Sequence, residues 1–489
     1  MRRLSGEDAG FLYMEQPEQP MNSMALGVLE PSVLEPSAAL TLADLRAHLE
    51  RRLDELPSFR WRILPVPLRL HHPVAVDDPD FDLDRHLRHV TLPPGATDAD
   101  LEALFAEIAE EHLDRDRPLW QVVLVDGLDG GGDGARQAVI AKYHHCLADG
   151  VAAIFNFSRI FSDTDFSDTD FSDTGRGPGP AGTAYRPRRL PGPGRLVRDA
   201  LLDHVRAWPR LPGLVLRTLR GVRAVRARRR TARVEVPGFD AQAPWTPLND
   251  AFTVRRSYVR AELSLAGVKQ VKDAAGGTLN DVVLAVVAGA LCRYLPARGG
   301  LPERPLLTTV PVSTEGTQAL SRQWGNHFWS FTTTLATDVS DPWERLAVIG
   351  ACAREGKARL ELLGVGLVPD WLDVLPPLLV EPGARAMLER GRTARESVDA
   401  SILVSNVRGP AEPWSLRGRV FADLHVDGPP SNGVGVNVMV WSYGDRLLLG
   451  CLAFADSLDD PAAFRSALLD SFAELHALAV GQEPVRSLA

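Results

Sequence analysis

The chain has 489 residues and a formal net charge of −9, with 45% hydrophobic and 24% charged residues, a composition that excludes overall disorder and allows about two or three domains. Its four cysteines lie far apart without CxxC spacing, which excludes a disulfide scaffold and a zinc ribbon and favours a reducing compartment. Because there is no apolar signal segment and no uninterrupted apolar run of about 18 residues, we expect a protein that is neither secreted nor membrane-spanning.

The first 160 residues alternate helical and extended patterns, which predicts an α+β domain. Helices are predicted over Thr41–Leu56 and Thr97–Leu113, because each segment opens with threonine at an N-cap position, has aspartate three residues later and repeats its apolar residues at helical spacing. Two apolar runs, Gln121–Val125 and Gln137–Tyr143, flank a turn rich in glycine and aspartate. They predict two neighbouring strands, in the simplest case a hairpin.

Residues 161–174 repeat the sequence FSDTD and lead into a glycine- and proline-rich run that ends near Gly194. This low complexity predicts a loop or linker, with an acidic lid or a phosphorylated segment as the functional alternative.

An arginine-rich segment follows, in which residues 186–233 hold fifteen arginines against Asp199 and Asp203, a local charge of +13. Leucine, valine and tryptophan recur at helical spacing from Leu196 to Leu219. A basic amphipathic helix of this kind can lie on an anionic membrane surface, where each arginine contributes about 1 kcal/mol. The alternative is a crossover between domains that packs on acidic residues elsewhere; nucleic-acid binding is disfavoured.

From about Pro244 onward the sequence predicts a second α+β domain. Thr278–Leu295 reads as a buried helix with Thr278 as N-cap and Asp281 completing a capping box. Further helices are predicted over Ser340–Leu360 and Pro461–Ala479, and strands over Pro305–Ser313, Trp329–Ala336, Ser401–Val407, Val434–Ser442 and Leu447–Phe454. We therefore place an N-terminal domain at residues 1–160, a linker at 161–243 and a C-terminal domain at 244–489.

The segment Lys142 to Gly150, KYHHCLADG, carries the most chemistry. If the strand runs through Tyr143, alternation sends His144 and His145 to opposite faces, so only one of them can point into a given cavity, and a metal bound by both is disfavoured. Asp149 can cap the following helix, Val151–Ile160, or pair with an arginine from elsewhere, and Gly150 permits a tight turn.

A histidine presented at a cavity suits general-base work, because its ordinary pKa of about 6.5 leaves it mostly neutral near pH 7. Two adjacent histidines taken alone are more often structural. The spacing HHxxxDG changes that balance, since it matches the signature of the CoA-dependent acyltransferase superfamily.

The flanking segments resemble the bacterial wax ester synthase/diacylglycerol acyltransferases within that superfamily. The resemblance rests on LSGEDAGFLYMEQPEQPMN near the start, RPLW at Arg117–Trp120, LNDVVLAVVAGAL at Leu279–Leu291, PVST at Pro311–Thr314 and SNVRGP at Ser405–Pro410, in the family's order. It implies an α+β fold of two similar-sized chloramphenicol-acetyltransferase-like domains with the active site in a channel between them.

The resemblance also implies roles for single residues. His145 would be the general base, His144 would be structural, and Asp149 with Gly150 would hold the loop. Pro118, Leu119 and Trp120 match the family's PLW motif, and Asn280 and Asp281 match its ND motif; both motifs are associated with activity or the acyl site.

An oxyanion formed in the reaction needs hydrogen-bond donors, for which Asn280 and Ser313 or Thr314 are the candidates. An asparagine in a first helical turn is more often a cap or a surface residue. The chain departs from the family at Glu315, where a basic residue is usual, and this puts an anion-binding role there in doubt.

These observations lead us to expect an O-acyltransferase that takes acyl-CoA as substrate, needs no metal or other cofactor, and esterifies diacylglycerol or a long-chain alcohol. A location in the cytoplasm, peripheral to the membrane or to lipid droplets through residues 195–233, would fit such substrates. The alternatives are an acyltransferase for a carrier-bound or polyketide alcohol and a catalytically silent lipid-droplet protein. Acceptor preference, acyl chain length and oligomeric state stay open.

Overall fold

The computed structural model describes residues 1–30, 39–130, 136–163, 185, 189–232, 234–238, 241–249, 253–315, 322–393, 397–431 and 433–481. Most of the FSDTD repeat lies outside the described residues, so its prediction as a loop or linker is not tested.

The described residues form strands and helices in alternation along the chain. The strands are β1 Arg2–Arg3, β2 Asn22–Leu29, β3 Trp61–Leu64, β4 Val74–Asp77, β5 Leu87–Ala96, β6 Trp120–Leu128, β7 Arg136–His144, β8 Ala243–Pro244, β9 Arg256–Ser264, β10 Leu307–Ser313, β11 Phe328–Thr334, β12 Ser397–Val398, β13 Ile402–Val407, β14 Ser415–Leu416, β15 Arg419–Asp427, β16 Val436–Tyr443 and β17 Arg446–Phe454. The helices are α1 Gly6–Met14, α2 Leu42–Arg52, α3 Asp98–Glu110, α4 Gly150–Phe161, α5 Pro193–Ala207, α6 Leu211–Thr231, α7 Leu265–Ala275, α8 Leu279–Tyr294, α9 Pro342–Leu363, α10 Leu367–Val374, α11 Pro377–Thr393 and α12 Pro461–Gly481.

Two six-stranded sheets organise the fold. The first has the order β14-β15-β2-β7-β6-β5 and the second has the order β11-β10-β13-β16-β17-β9. In the first sheet β6 and β7 pair antiparallel, which confirms the hairpin predicted around the glycine-rich turn. Strand β7 is an inner strand of this sheet, so the chain leaves it at His144 between β2 and β6 rather than at an edge of the sheet.

Strands β14 and β15 join the first sheet although they come from residues 415–427, late in the chain. Strand β15 pairs antiparallel with β2, and Leu424 lies opposite Gly27. The first sheet is therefore built from both ends of the chain. The domain boundaries drawn at residues 160 and 243 stay predictions.

Helix α8 lies in the core beside the second sheet. Its apolar residues cover all faces of the helix, which is the pattern of a fully buried helix. Thr278 and Asp281 form the expected capping box, with the Thr278 amide donating to Asp281 Oδ2 at 2.8 Å. The helix and the turn after it, Leu279–Ala297, are long and apolar enough to cross a membrane, but most of this stretch is buried in the protein.

The arginine-rich segment folds into two helices, α5 and α6, rather than one. The break falls at Trp208–Arg210, where Pro209 lacks the backbone N–H that an uninterrupted helix needs. Each helix buries a narrow stripe, Leu196 and Ala200 in α5, and Leu214, Gly221 and Val225 in α6. The opposite faces stay exposed to solvent.

Candidate active site

Strand β7 presents two histidines whose side chains have different surroundings. The His144 amide donates to the Leu119 carbonyl at 2.9 Å, directly before β6. The His145 amide donates to the Met21 carbonyl at 2.7 Å, directly before β2, so the two amides bond to segments on opposite sides. His144 is buried, whereas His145 is partly exposed. The two rings therefore have different surroundings, as the predicted alternation requires.

Both ring nitrogens of His144 face groups of the fold. The Cys146 amide donates to Nδ1 at 3.1 Å, so the proton of the neutral ring must be on Nε2, which faces Glu15 Oε1 at 3.4 Å. Burial lowers the pKa of His144. Although burial alone would raise the pKa of Glu15, the neighbouring His144 and Arg115 lower it well below its usual range. This arrangement is what the structural role implied by the resemblance requires.

The His145 ring packs near two aromatic side chains. It stacks on Phe11 with ring centroids 4.0 Å apart and an interplanar angle of 12°, and the Phe328 ring lies 6.3 Å away. Burial lowers the pKa of His145 to about 4, so the imidazole is neutral at pH 7. A neutral imidazole can accept a proton, as general-base chemistry requires.

Asn326 fixes the tautomer of that imidazole. Its Nδ2 donates to the His145 carbonyl at 2.9 Å, and since a carbonyl oxygen can only accept, the orientation of the amide is determined. Asn326 Oδ1 then faces His145 Nδ1 at 3.1 Å, so Nδ1 must be the donor. The free lone pair is on Nε2, which forms no hydrogen bond within the part of the chain that the structure describes.

Asp149 both caps a helix and forms an ion pair, the two arrangements expected from the sequence. Its Oδ1 accepts from the amides of Val151 and Ala152 at 3.1 and 3.0 Å, at the start of α4. Its Oδ2 lies 2.5 Å from Arg322 Nη2 and accepts from the His327 amide at 2.9 Å. The carboxylate thus ties the histidine turn to residues 322–328.

The turn after His145 is also held by backbone contacts with the segment before β11. The Gly325 amide donates to the Leu147 carbonyl at 2.6 Å, and the Asp149 amide donates to the Gly325 carbonyl at 3.2 Å. Gly325 has a φ of +88°, a conformation that favours glycine. At Gly150 a Cβ atom would lie 3.0 Å from Val407 Cγ2 of β13, so the small residue lets α4 approach the second sheet.

Glu315 has partners that explain an acidic residue at this position. It lies 2.7 Å from Arg322 Nε and 2.9 Å from His327 Nδ1. Ser313 pairs across the sheet with Phe328, and its Oγ accepts from the Glu315 amide at 3.2 Å. The structure therefore brings Ser313 to the same region as His145, while its role as an oxyanion donor stays a prediction.

The PLW residues lie behind the histidine turn, in the core of the first sheet. All three are buried, and Leu119 contributes the carbonyl that holds the His144 amide. The Trp120 indole stacks between His86 and Phe59, and its Nε1 donates to the Phe59 carbonyl at 2.7 Å. This placement suits residues that position the turn, and substrate contact by Pro118, Leu119 or Trp120 stays a prediction.

The ND residues are not brought into contact with His145. Asp281 is buried in the cap of α8, where its Oδ2 also lies 3.9 Å from Arg354 Nη1 on α9. Asn280 is half-buried in the first turn of the same helix. No hydrogen bond, ion pair or ring contact within the described ranges connects either residue to the histidine turn, so their contact with substrate stays a prediction.

Three residues that build the site were not identified from the sequence: Phe11, Arg322 and Asn326. Phe11 lies in the GEDAGF segment, which supported the resemblance without being given a role. Arg322 and Asn326 lie in RQWGNHF, between a predicted strand and the next. A glycine followed by asparagine directly before a strand was the available indication that this segment has a special backbone.

Comparison with known proteins identifies the family of the chain. Residues 4–283 match the wax ester synthase/diacylglycerol acyltransferase catalytic domain, and residues 324–476 match the WS/DGAT C-terminal domain. A protein of Mycobacterium tuberculosis (strain CDC 1551 / Oshkosh), which carries the name "putative diacylglycerol O-acyltransferase", is 35% identical over 500 aligned positions that cover 100% of both chains.

Solved structures show the same fold. The wax ester synthase/diacylglycerol acyltransferase from Marinobacter aquaeolei VT8 has a TM-score of 0.63 at 24% identity and covers 98% of this chain and 100% of that chain. The starter condensation domain of rhizomide synthetase, in complex with C8-CoA, has a TM-score of 0.53 at 14% identity and covers 100% of this chain and 97% of that chain. The expected α+β fold of two chloramphenicol-acetyltransferase-like domains is confirmed, and the chain belongs to the wax ester synthase/diacylglycerol acyltransferase family.

Proposed function

We propose that the protein transfers a long acyl chain from CoA to the hydroxyl group of diacylglycerol or of a long-chain alcohol, with His145 as the general base. One observation carries this proposal: a neutral, partly exposed imidazole with its proton fixed on Nδ1 and its Nε2 lone pair free. Membership of the family supports acyl transfer as the reaction class.

The proposed chemistry needs only this group and an oxyanion donor. Nε2 removes the proton of the acceptor hydroxyl while the alcohol oxygen attacks the thioester carbonyl, and a tetrahedral oxyanion forms. The carbon–sulfur bond then breaks, the ester is released, and the CoA thiolate takes the proton back from Nε2. A positioned base of this kind contributes about 10²- to 10⁴-fold in rate.

Apolar substrates suit the surroundings of this imidazole. Phe11 and Phe328 lie beside the ring, so part of its surroundings is aromatic. Exclusion of water there would also limit hydrolysis of the thioester. The C8-CoA complex of the condensation domain supports acyl-CoA as donor for this fold. Ser313 and Asn280 are the proposed oxyanion donors.

A lipid surface as the source of the acceptor fits the outer faces of α5 and α6. Large apolar side chains there are strongly exposed, with Trp208 at 65% and Val205 at 63% of their full accessible surface. Arg217 pairs with Asp370 and Arg228 pairs with Glu355, so part of the segment packs as a crossover would. Other arginines form no ion pair within the described residues: Arg210, Arg220, Arg223, Arg226, Arg229 and Arg230. We propose that these contact anionic lipid headgroups.

The proposal is tested by following CoA release from palmitoyl-CoA with diacylglycerol or hexadecanol as acceptor, and by resolving the products by thin-layer chromatography. We expect ester formation that His145→Ala lowers by about 10²-fold or more. His476→Ala, on the outer helix α12, is the matched control and should leave the rate unchanged. Equal rates for wild type and His145→Ala would overturn the proposal, and absence of thiol release with intact lipid binding would favour the silent lipid-droplet protein.

A further inference from the structure

Helix α1 carries the GEDAGF segment, to which the proposed reaction gives no chemical part. The helix lies against the histidine turn, where Phe11 stacks on the His145 ring. One turn earlier Asp8 contacts Asn326, the residue that fixes the His145 tautomer. Helix α1 therefore contacts the candidate base directly through Phe11 and indirectly through Asp8 and Asn326.

The Asp8 carboxylate uses its two oxygens for different purposes. Oδ2 accepts from the Ser5 amide at 3.2 Å, which closes the capping box of α1. Oδ1 accepts twice from Asn326, from its backbone amide at 2.7 Å and from its Nδ2 at 2.8 Å. Both Asp8 and Asn326 are buried, so these hydrogen bonds are shielded from water. The cap alone does not need Oδ1.

We propose that Asp8 is a positioning residue of the reaction, which acts through Asn326 to hold the His145 imidazole with its proton on Nδ1. This inference rests on the proposed function of His145. The chain of contacts runs from Asp8 Oδ1 to Asn326 Nδ2, and from Asn326 Oδ1 to His145 Nδ1.

The hydrogen-bond inventory of Asn326 explains why Asp8 is needed. Its Nδ2 has two hydrogens, of which one goes to the His145 carbonyl and the other to Asp8. Without Asp8, one of these hydrogens and the buried backbone amide lose their acceptor, which favours rotation of the side chain. Once Oδ1 leaves Nδ1, the ring can carry its proton on Nε2, and that tautomer cannot remove a proton from a hydroxyl.

Other helices show that the capping box by itself has no such function. In α3 the same arrangement is made by Thr97 and Asp100, and Asp100 Oδ2 accepts from both the amide and the hydroxyl of Thr97. Those contacts stay within the exposed start of α3. At α1 the second carboxylate oxygen, Asp8 Oδ1, accepts hydrogen bonds from Asn326, the residue that contacts His145.

The kinetic test compares Asp8→Ala, Asn326→Ala and the double variant. We expect each single change to lower kcat by about 10- to 100-fold with little change in KM, the size of effect known for partners that orient a metal-bound histidine. Because both residues act in one chain of contacts, the double variant should be no more than about threefold below Asn326→Ala. Multiplied effects in the double variant would overturn the proposal.

Ser5→Ala is the control in the same helix. It removes the hydroxyl that accepts from the Asp8 amide at 3.0 Å, yet leaves the contacts between Asp8 and Asn326 in place. We expect a less stable helix start and an unchanged kcat. A fall in kcat as large as that of Asp8→Ala would show that α1 acts only through its stability, and the proposal would be wrong.

A spectroscopic test does not depend on turnover. In protein with ¹⁵N-labelled histidine, the His145 signal, identified by its loss in His145→Ala, reports which ring nitrogen carries the proton. We expect a single Nδ1–H tautomer in the wild type and in Asp8→Asn, whose remaining oxygen can still accept from Asn326, and a mixture in Asp8→Ala, which has no acceptor. An unchanged tautomer in Asp8→Ala would overturn the proposal, whereas an inactive wild type with the expected spectra would refute only the proposed function.

Discussion

At the scale of single residues, the best-defined contact of the site is the ion pair between Asp149 and Arg322. Their side chains are 5% and 13% exposed, and Arg322 also contacts Glu315 and the carbonyl of Trp324 at 3.1 Å. A charge paired in such a place leaves an uncompensated partner when it is removed. The pair therefore matters for the geometry of the turn that carries His145.

Replacing Arg322 by glutamine should lower the free energy of unfolding by about 3 kcal/mol or more, because Asp149 stays buried without its partner. Urea unfolding followed by circular dichroism measures this change. Arg62→Gln is the control: it removes an ion pair of similar length, 2.6 Å, to Asp116, whose side chain is 85% exposed. That loss should be below about 1 kcal/mol. Equal losses at both positions would contradict the role given to Arg322.

Trp120→Phe tests whether the PLW segment positions the turn or binds substrate. The change removes the hydrogen bond from the indole to the buried Phe59 carbonyl, so stability should fall by about 1–3 kcal/mol. Since Trp120 is buried, KM for acyl-CoA should stay the same. A raised KM with unchanged stability would show instead that Trp120 contacts the substrate.

At the scale of elements, α6 is fixed to α9 by a close approach at Gly221. A Cβ atom there would lie 2.5 Å from the Leu363 carbonyl oxygen, which is backbone and cannot move aside cheaply. Gly213, in the same helix, has nothing within 4 Å of its would-be Cβ. Alanine substitutions at the two glycines therefore distinguish the effect of packing from the effect of helix propensity.

Gly221→Ala should loosen α6 from α9 and raise amide hydrogen exchange along α6. Gly213→Ala should have the opposite effect on α6: it should stabilise the helix by about 0.5–1 kcal/mol, because alanine is the better helix former. Hydrogen exchange read by mass spectrometry checks both. Equal protection of α6 in the two variants would contradict the packing described for Gly221.

Elements with strong local patterns could be predicted from the sequence. Capping boxes at Thr41, Thr97 and Thr278 placed the starts of α2, α3 and α8 correctly, and strand β17 was predicted within one residue of its observed start. Helix α1 was not predicted as a helix, because its nine residues lack an apolar periodicity. The pairing of β15 with β2 was also missed, since a contact between residues about 400 positions apart has no local pattern.

The same distinction between local patterns and long-range contacts explains which residues of the site could be predicted. The residues of HHxxxDG were identified because they form one continuous motif. Their partners were not, because Asn326, Arg322 and Phe11 reach the turn only after the two sheets come together. The sequence allowed Asp149 either to cap a helix or to pair with an arginine, and in the fold it does both, with Arg322 as the arginine.

At the scale of the whole molecule, the charge distribution favours contact with anionic lipid at one place. The arginine-rich segment carries a local charge of +13 within a chain of net charge −9, so the rest of the protein is acidic and is repelled by the same surface. Exposed apolar side chains on α5 and α6 lie among these arginines. The side that we propose to face lipid therefore combines positive charge with exposed apolar side chains.

A triple variant, Leu201→Ser, Val205→Ser and Trp208→Ser, should lower binding to vesicles that contain phosphatidylserine by about tenfold or more, because each buried apolar side chain contributes about 1.5–3 kcal/mol. Vesicle flotation measures the bound fraction, which should also fall as salt is raised. Leu469→Ser with Val480→Ser, exposed apolar positions of α12, is the control. Equal flotation of both variants would contradict a lipid surface at α5 and α6.

The central claim, that the neutral imidazole of His145 takes the proton of the acceptor, is tested most directly by the pH dependence of kcat/KM. Burial lowers the pKa of His145 to about 4, and a histidine with a lowered pKa loses its basic form only when the pH falls to that value. We expect kcat/KM to stay flat from pH 8 to about pH 5.5 and to fall with an acid limb near pH 4, in protein shown to be folded at each pH. A kcat/KM that stays flat down to below about pH 4 in folded protein, or an unchanged rate in His145→Ala, would contradict the claim.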